Sequence, residues 1–79
     1  MNKHLLKLKS AIELLDPTFD WTDFNNYETR KRLQYLTYTL QETGKMLFGY
    51  SWELRINGIF CSQLYEDGLT IYNYVKENK

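Results

Sequence analysis

The one proline of this chain, Pro17, follows directly on a run of helical periodicity and fixes where that run must stop. Upstream, Leu5, Leu8, Ile12 and Leu15 recur at intervals of three and four, and with Ala11 they form one apolar stripe. A residue before proline is pushed out of the helical region, so Asp16-Pro17 predicts a helix over Lys3–Leu15. The next stretch, Thr18–Phe24, carries Phe19, Trp21 and Phe24 among short polar residues. It reads as a loop whose aromatics dock back over the helices, not as a strand.

A second helix is expected to start at Asn25, an N-cap residue with Glu28 three positions on, and to run to about Thr43. Gly44 supplies a left-handed stop. Leu33, Leu36 and Leu40 share one face of this helix, flanked by Thr29 and Thr37. Lys31, Tyr35, Tyr38 and Glu42 lie on the opposite side. A surface helix is normally polar on its outer face, so a pair of tyrosines there suggests a second contact surface.

Tyr50, Trp52, Leu54 and Ile56 alternate with Ser51, Glu53 and Arg55, the period of a strand. Asn57-Gly58 is a favoured two-residue hairpin turn, so Ile59–Cys61 is one candidate for a returning strand. The competing reading, which we favour, starts a helix near Ser62, with Leu64, Gly68, Ile71 and Val75 at helical spacing. Gly68 costs about 1 kcal/mol relative to alanine inside a helix and is also a candidate break between two short helices. The expected fold is therefore mainly α: one domain over residues 1–79, with three or four helices and one short strand or β-hairpin.

Residues 30–67 resemble the amino-terminal part of the prokaryotic YwgA-like proteins. The run R-K-R-L-Q-Y-L-T-Y-T-L-Q-E-T-G and the later L-F-G-Y-S-W-E-L-R-I-N-G-I-F-C-S-Q-L-Y-E-D carry the resemblance. Leu33, Gln34, Tyr38, Leu40, Gly44, Gly49 and Tyr50 fall in register, Trp52 takes an aromatic position, and Gly58, Leu64 and Asp67 keep the later spacing. Tyr35 stands where that family has lysine, Leu54 where it has tryptophan, Ile59 where it has proline, and Phe60-Cys61 where it has Tyr-Ser. The resemblance implies a winged-helix-like arrangement of helix, strand and helix pair, and no enzymatic activity. With the chain stopping at Lys79, the wing that would follow is expected to be incomplete, as in a shortened relative.

Composition narrows the function classes. With 43% hydrophobic and 16% aromatic residues the chain is globular, yet 79 residues bury only about 60–65% of the surface that the unfolded chain exposes. Self-association would relieve that thin margin, and a homodimer is a secondary expectation. Ten basic residues balance ten acidic ones, so no global field draws the chain to nucleic acid or membrane. Lys3, Lys7 and Lys9 sit in the first helix and Arg30-Lys31-Arg32 open the second, with Glu13, Asp16, Asp20, Asp23 and Glu28 between them. Nothing resembles a signal peptide or a membrane span, which makes the cytoplasm the expected compartment.

The chemistry of catalysis is thinly represented. Cys61 and His4 are the one thiol–imidazole pair, separated by most of the chain, and a buried structural thiol is the simpler reading. One cysteine and one histidine fall short of a zinc ligand set. The acidic stretch lacks the spacing of a calcium loop, so Asp20 and Asp23 read as turn and cap residues. Gly44 and Gly49 form no phosphate-cradling loop. No enzyme and no cofactor are expected. Function is sought in binding: Lys31, Tyr35, Tyr38 and Trp52 are candidates for a protein partner, and Arg30, Lys31 and Arg32 for nucleic acid. The leading expectation is a small non-enzymatic protein-interaction module, regulatory or inhibitory, from a prokaryotic or mobile-element setting. The alternative is a winged-helix-like regulator associated with nucleic acid.

Overall fold

The computed structural model describes residues 1–44 and 46–78. Its order is α1 (Lys3–Leu15), a 3-10 turn (Trp21–Asp23), α2 (Tyr27–Glu42), β1 (Glu53–Arg55), β2 (Gly58–Phe60) and α3 (Ser62–Glu77). This is a small, mainly α domain with three helices and one antiparallel hairpin, the class expected from the sequence. The three helices pack on one another, the 3-10 turn packs on α3, and the hairpin leans on α2 through β2.

Helix α1 is capped by Asn2, whose Oδ1 accepts from Leu5 N at 2.8 Å. It ends where Pro17 requires: Asp16 leaves helical geometry at φ −137° while its N–H still closes on Ile12 O. Leu5, Leu8, Ala11 and Ile12 are buried, whereas Leu15, at the last position of the helix, is exposed with Leu14. Phe19, Trp21 and Phe24 dock back as expected, and all three are buried. Trp21 Nε1 donates to Glu13 at 3.2 Å, which ties this connection to α1. The Phe24 ring stacks on Tyr65 of α3 with centroids 6.0 Å apart.

Helix α2 starts one residue later than expected. Asn26, not Asn25, is the cap, its Oδ1 accepting from Glu28 N at 3.0 Å, so Glu28 is the second helical residue and not the third. The expected stop holds, with Thr43 as C-cap and Gly44 at φ 78°. The buried line of α2 is Leu33, Gln34 and Thr37, while Leu36 and Leu40 are half-buried against the core. The face is thus rotated from the leucine stripe, because α2 is pinned by its glutamines. Gln34 Oε1 accepts from Cys61 N at 2.8 Å and its Nε2 donates to Cys61 O at 3.2 Å. Two turns on, Gln41 Oε1 accepts from Tyr50 N at 3.1 Å and its Nε2 donates to Tyr50 O at 2.8 Å. Two amides therefore hold the backbone at either end of the hairpin segment, where a sheet neighbour would otherwise be needed.

The two readings drawn as competitors after Tyr50 both occur: a hairpin forms, and α3 begins at Ser62. Glu53 pairs with Phe60, Leu54 with Ile59 and Arg55 with Gly58. The turn therefore rests on Ile56-Asn57 and not on Asn57-Gly58. Among the described residues no non-glycine residue has positive φ, which rules out the mirror-image turn expected for Asn57-Gly58. Gly58 itself supplies the positive angle, φ 115°.

Helix α3 is unbroken through Gly68, so one helix follows the hairpin where the resemblance implied a pair. Gly68 is there for space: a Cβ at this position would lie 2.5 Å from Phe24 Cζ and 2.7 Å from Leu33 Cδ2. Cys61 caps the helix through its thiol, Sγ accepting from Leu64 N at 3.4 Å.

Candidate functional site: a cationic apolar groove beside the hairpin

The outer face of α2, singled out for its tyrosines, divides in two. Its C-terminal half is covered: the Tyr38 ring meets Trp52 edge-on at 5.3 Å, and Trp52 continues to Tyr50 at 6.1 Å. Tyr38 and Trp52 are both half-buried. The cover comes from the segment leading into the hairpin. The N-terminal half stays open. Tyr35 is exposed, its hydroxyl lying against Gly58, whose φ of 115° favours glycine.

Between this open half and the hairpin runs a groove of about 720 Å³. Leu54 and Ile56 of the hairpin, both almost fully exposed, form one wall with Ile59 and Phe60. Tyr27 and Tyr65 contribute rings from α2 and α3. Three cations, Arg30, Lys31 and Arg55, stand among these apolar groups, and no carboxylate lines the groove among the described residues. Arg30 donates to Phe24 O at 3.2 Å, and Arg55 lies over the Phe60 ring at 4.1 Å and pairs with Glu53 at 3.3 Å. Lys31, half-buried, has no ion pair among the described residues.

The basic triplet does not act as one patch. Arg30 and Lys31 face the groove, whereas Arg32 reaches back to Asp16 at 3.4 Å. Arg32 and Lys31 also border a second, smaller depression that includes Asp23 and Glu28. The Asp16 carboxyl is held below the usual carboxylate range, first by its hydrogen bond from the Thr18 hydroxyl, with Arg32 adding to it.

A second polar cluster escaped the sequence. His4 Nε2 lies 2.9 Å from Tyr50 Oη and 3.1 Å from Asp67 Oδ2, while the Tyr50 hydroxyl donates to the same Oδ2 at 2.6 Å. Gln63 Nε2 donates to Oδ1 at 2.9 Å. The cluster joins α1, the segment before the hairpin and α3. Burial and then the adjacent Asp67 push the Tyr50 hydroxyl far above its ordinary range, which makes it a poor proton donor. Cys61 is buried and its Sγ is used by Leu64, while His4 is used by Tyr50 and Asp67, so the structure gives thiol and imidazole separate partners. Among the described residues no group of three or more His, Cys, Asp or Glu is placed to hold a metal ion, and no helix is long and apolar enough to cross a membrane.

No family model, curated protein or solved structure matches this chain.

Proposed function

We propose that this chain is a small non-enzymatic protein-interaction module that takes an acidic, apolar segment of a partner protein into the groove between α2 and the hairpin. The carrying observation is the lining: three cations and, among the described residues, no carboxylate, set among aliphatic and aromatic side chains that water otherwise covers. Such a groove rewards carboxylates at its cations and Leu- or Phe-like anchors at Leu54, Ile56 and Tyr65. The half-buried Lys31 ammonium, without an ion pair among the described residues, is where one partner carboxylate belongs.

Nucleic acid is the less favoured reading. Arg32 is paired with Asp16 and borders a depression that also holds Asp23 and Glu28, so the triplet offers phosphate two cations instead of three. The aliphatic wall of Leu54, Ile56 and Ile59 suits a peptide better than stacked bases. A regulatory or inhibitory role in a prokaryotic or mobile-element setting belongs to the same proposal, and the YwgA-like residues support the prokaryotic setting.

The test is fluorescence anisotropy with three labelled probes: a peptide alternating Glu and Leu, its Lys and Leu counterpart, and a single-stranded oligonucleotide. Binding of the acidic peptide alone, weakened about tenfold or more by Lys31→Glu and by Leu54→Ser, is the expected result. Preference for the oligonucleotide, or acidic-peptide binding indifferent to both variants, would overturn the proposal.

A further inference from the structure

The hairpin has a second unused surface, the outer edge of β1. β1 pairs with β2 on one side, and all three of its residues are exposed. An open edge presents unpaired backbone groups and is a template for another strand. What distinguishes this edge is its order of side chains. β1 reads Glu53-Leu54-Arg55. Laid antiparallel against itself about Leu54, it sets Glu53 opposite Arg55 and Leu54 opposite Leu54. Apolar meets apolar, and both charges meet their opposites. Centring on Glu53 or on Arg55 instead sets like charges face to face, which is unfavourable. A slip by one residue places apolar side chains on the wrong face.

We infer that two copies of this chain associate through β1 about a two-fold axis at Leu54, giving a four-stranded antiparallel sheet in the order β2-β1-β1-β2. The interface is self-complementary, as two-fold symmetry demands. It sets Leu54, 88% exposed in the single chain, beside its own copy. The Glu53–Arg55 ion pair within one strand is solvent-exposed at 3.3 Å and is readily exchanged for the two pairs between copies. The edge shares Leu54 and Arg55 with the wall of the groove, whereas Lys31 lines the groove and takes no part in the edge.

Sedimentation velocity and native mass spectrometry on the full chain at high micromolar concentration decide the matter. The wild type is expected as a dimer. Glu53→Arg places cation opposite cation and Arg55→Glu places anion opposite anion, so each weakens the dimer about tenfold or more with helical circular dichroism unchanged. Mixing the two variants makes both cross pairs opposite in charge and restores a heterodimer. The double variant Glu53→Arg/Arg55→Glu restores a homodimer for the same reason. These are gains that a misfolded chain does not give. Lys31→Glu leaves the dimer intact, which separates this surface from the groove. A monomeric wild type, or single variants that dimerise like it, would sink the inference, as would a mixture that stays monomeric.

Discussion

Gln34 and Cys61, 27 positions apart, are joined by two hydrogen bonds that satisfy both backbone groups of Cys61 through one buried amide. The pairing stands in for a missing strand neighbour at the point where the hairpin passes into α3. Replacing Gln34 with leucine keeps the volume but leaves the buried Cys61 N–H without a partner, while Cys61 O keeps its bond from Tyr65 N at 3.1 Å. Such a loss costs about 1–3 kcal/mol, and Gln34→Leu should destabilise by that much in urea unfolding.

Gly68→Ala separates intrinsic helix preference from packing. Alanine gains about 1 kcal/mol in a helix interior, and that gain would dominate if the glycine marked a break. The unbroken helix instead carries Phe24 Cζ and Leu33 Cδ2 where the new methyl would go. Overpacking of this kind costs about 1–3 kcal/mol, so a lower melting temperature is expected. A raised one would show that α3 and the Phe24 connection can move apart freely.

Both outcomes bear on what the sequence could disclose. Stops were legible because they depend on neighbours: Asp16-Pro17 ended α1, and Gly44 ended α2. The start of α2 was displaced by one residue because Asn25 and Asn26 carry the same capping chemistry. The unusual outer face of α2 was visible in Tyr35 and Tyr38, yet its division into a covered and an open half depends on Trp52, which is distant in sequence. Gln34 and Gln41 carry no local signal of their roles, since their partners lie 27 and 9 positions away. His4 looked like an end residue for the same reason. The groove itself was hidden by the alternation of Trp52, Leu54 and Ile56, which in a strand normally signals one buried face. Here the hairpin has nothing beyond it to bury Leu54 and Ile56.

Thr37 offers a substitution in the stabilising direction. It is fully buried on α2, and its Oγ1 has no hydrogen-bond partner among the described residues. A lone buried hydroxyl carries its desolvation penalty uncompensated, and valine has nearly the same shape. Thr37→Val should therefore raise stability by about 1 kcal/mol, read as a higher urea midpoint at unchanged slope. A loss of stability would mean that the hydroxyl is paired in solution.

Tyr50 gives stability a defined alkaline limit. In the folded chain its hydroxyl is buried and donates to Asp67, so it keeps its proton well beyond the ordinary value near 10. The unfolded chain releases that proton at about 10. Below that pH both states are protonated and the contribution is fully present. Above it the folded state binds more protons than the unfolded state, and stability must decline as pH rises. At the acid end the sign reverses for Asp16, whose lowered value gives stability that is lost as pH falls below about 4. Tyr50→Phe removes the Asp67 and His4 hydrogen bonds, so it should be less stable than the wild type at pH 7. It also removes the ionisation, so its stability should fall less steeply between pH 10 and 11. Urea unfolding of both proteins across that range measures the two slopes. Parallel slopes would show that the alkaline loss belongs to other groups and that Tyr50 titrates alike in both states.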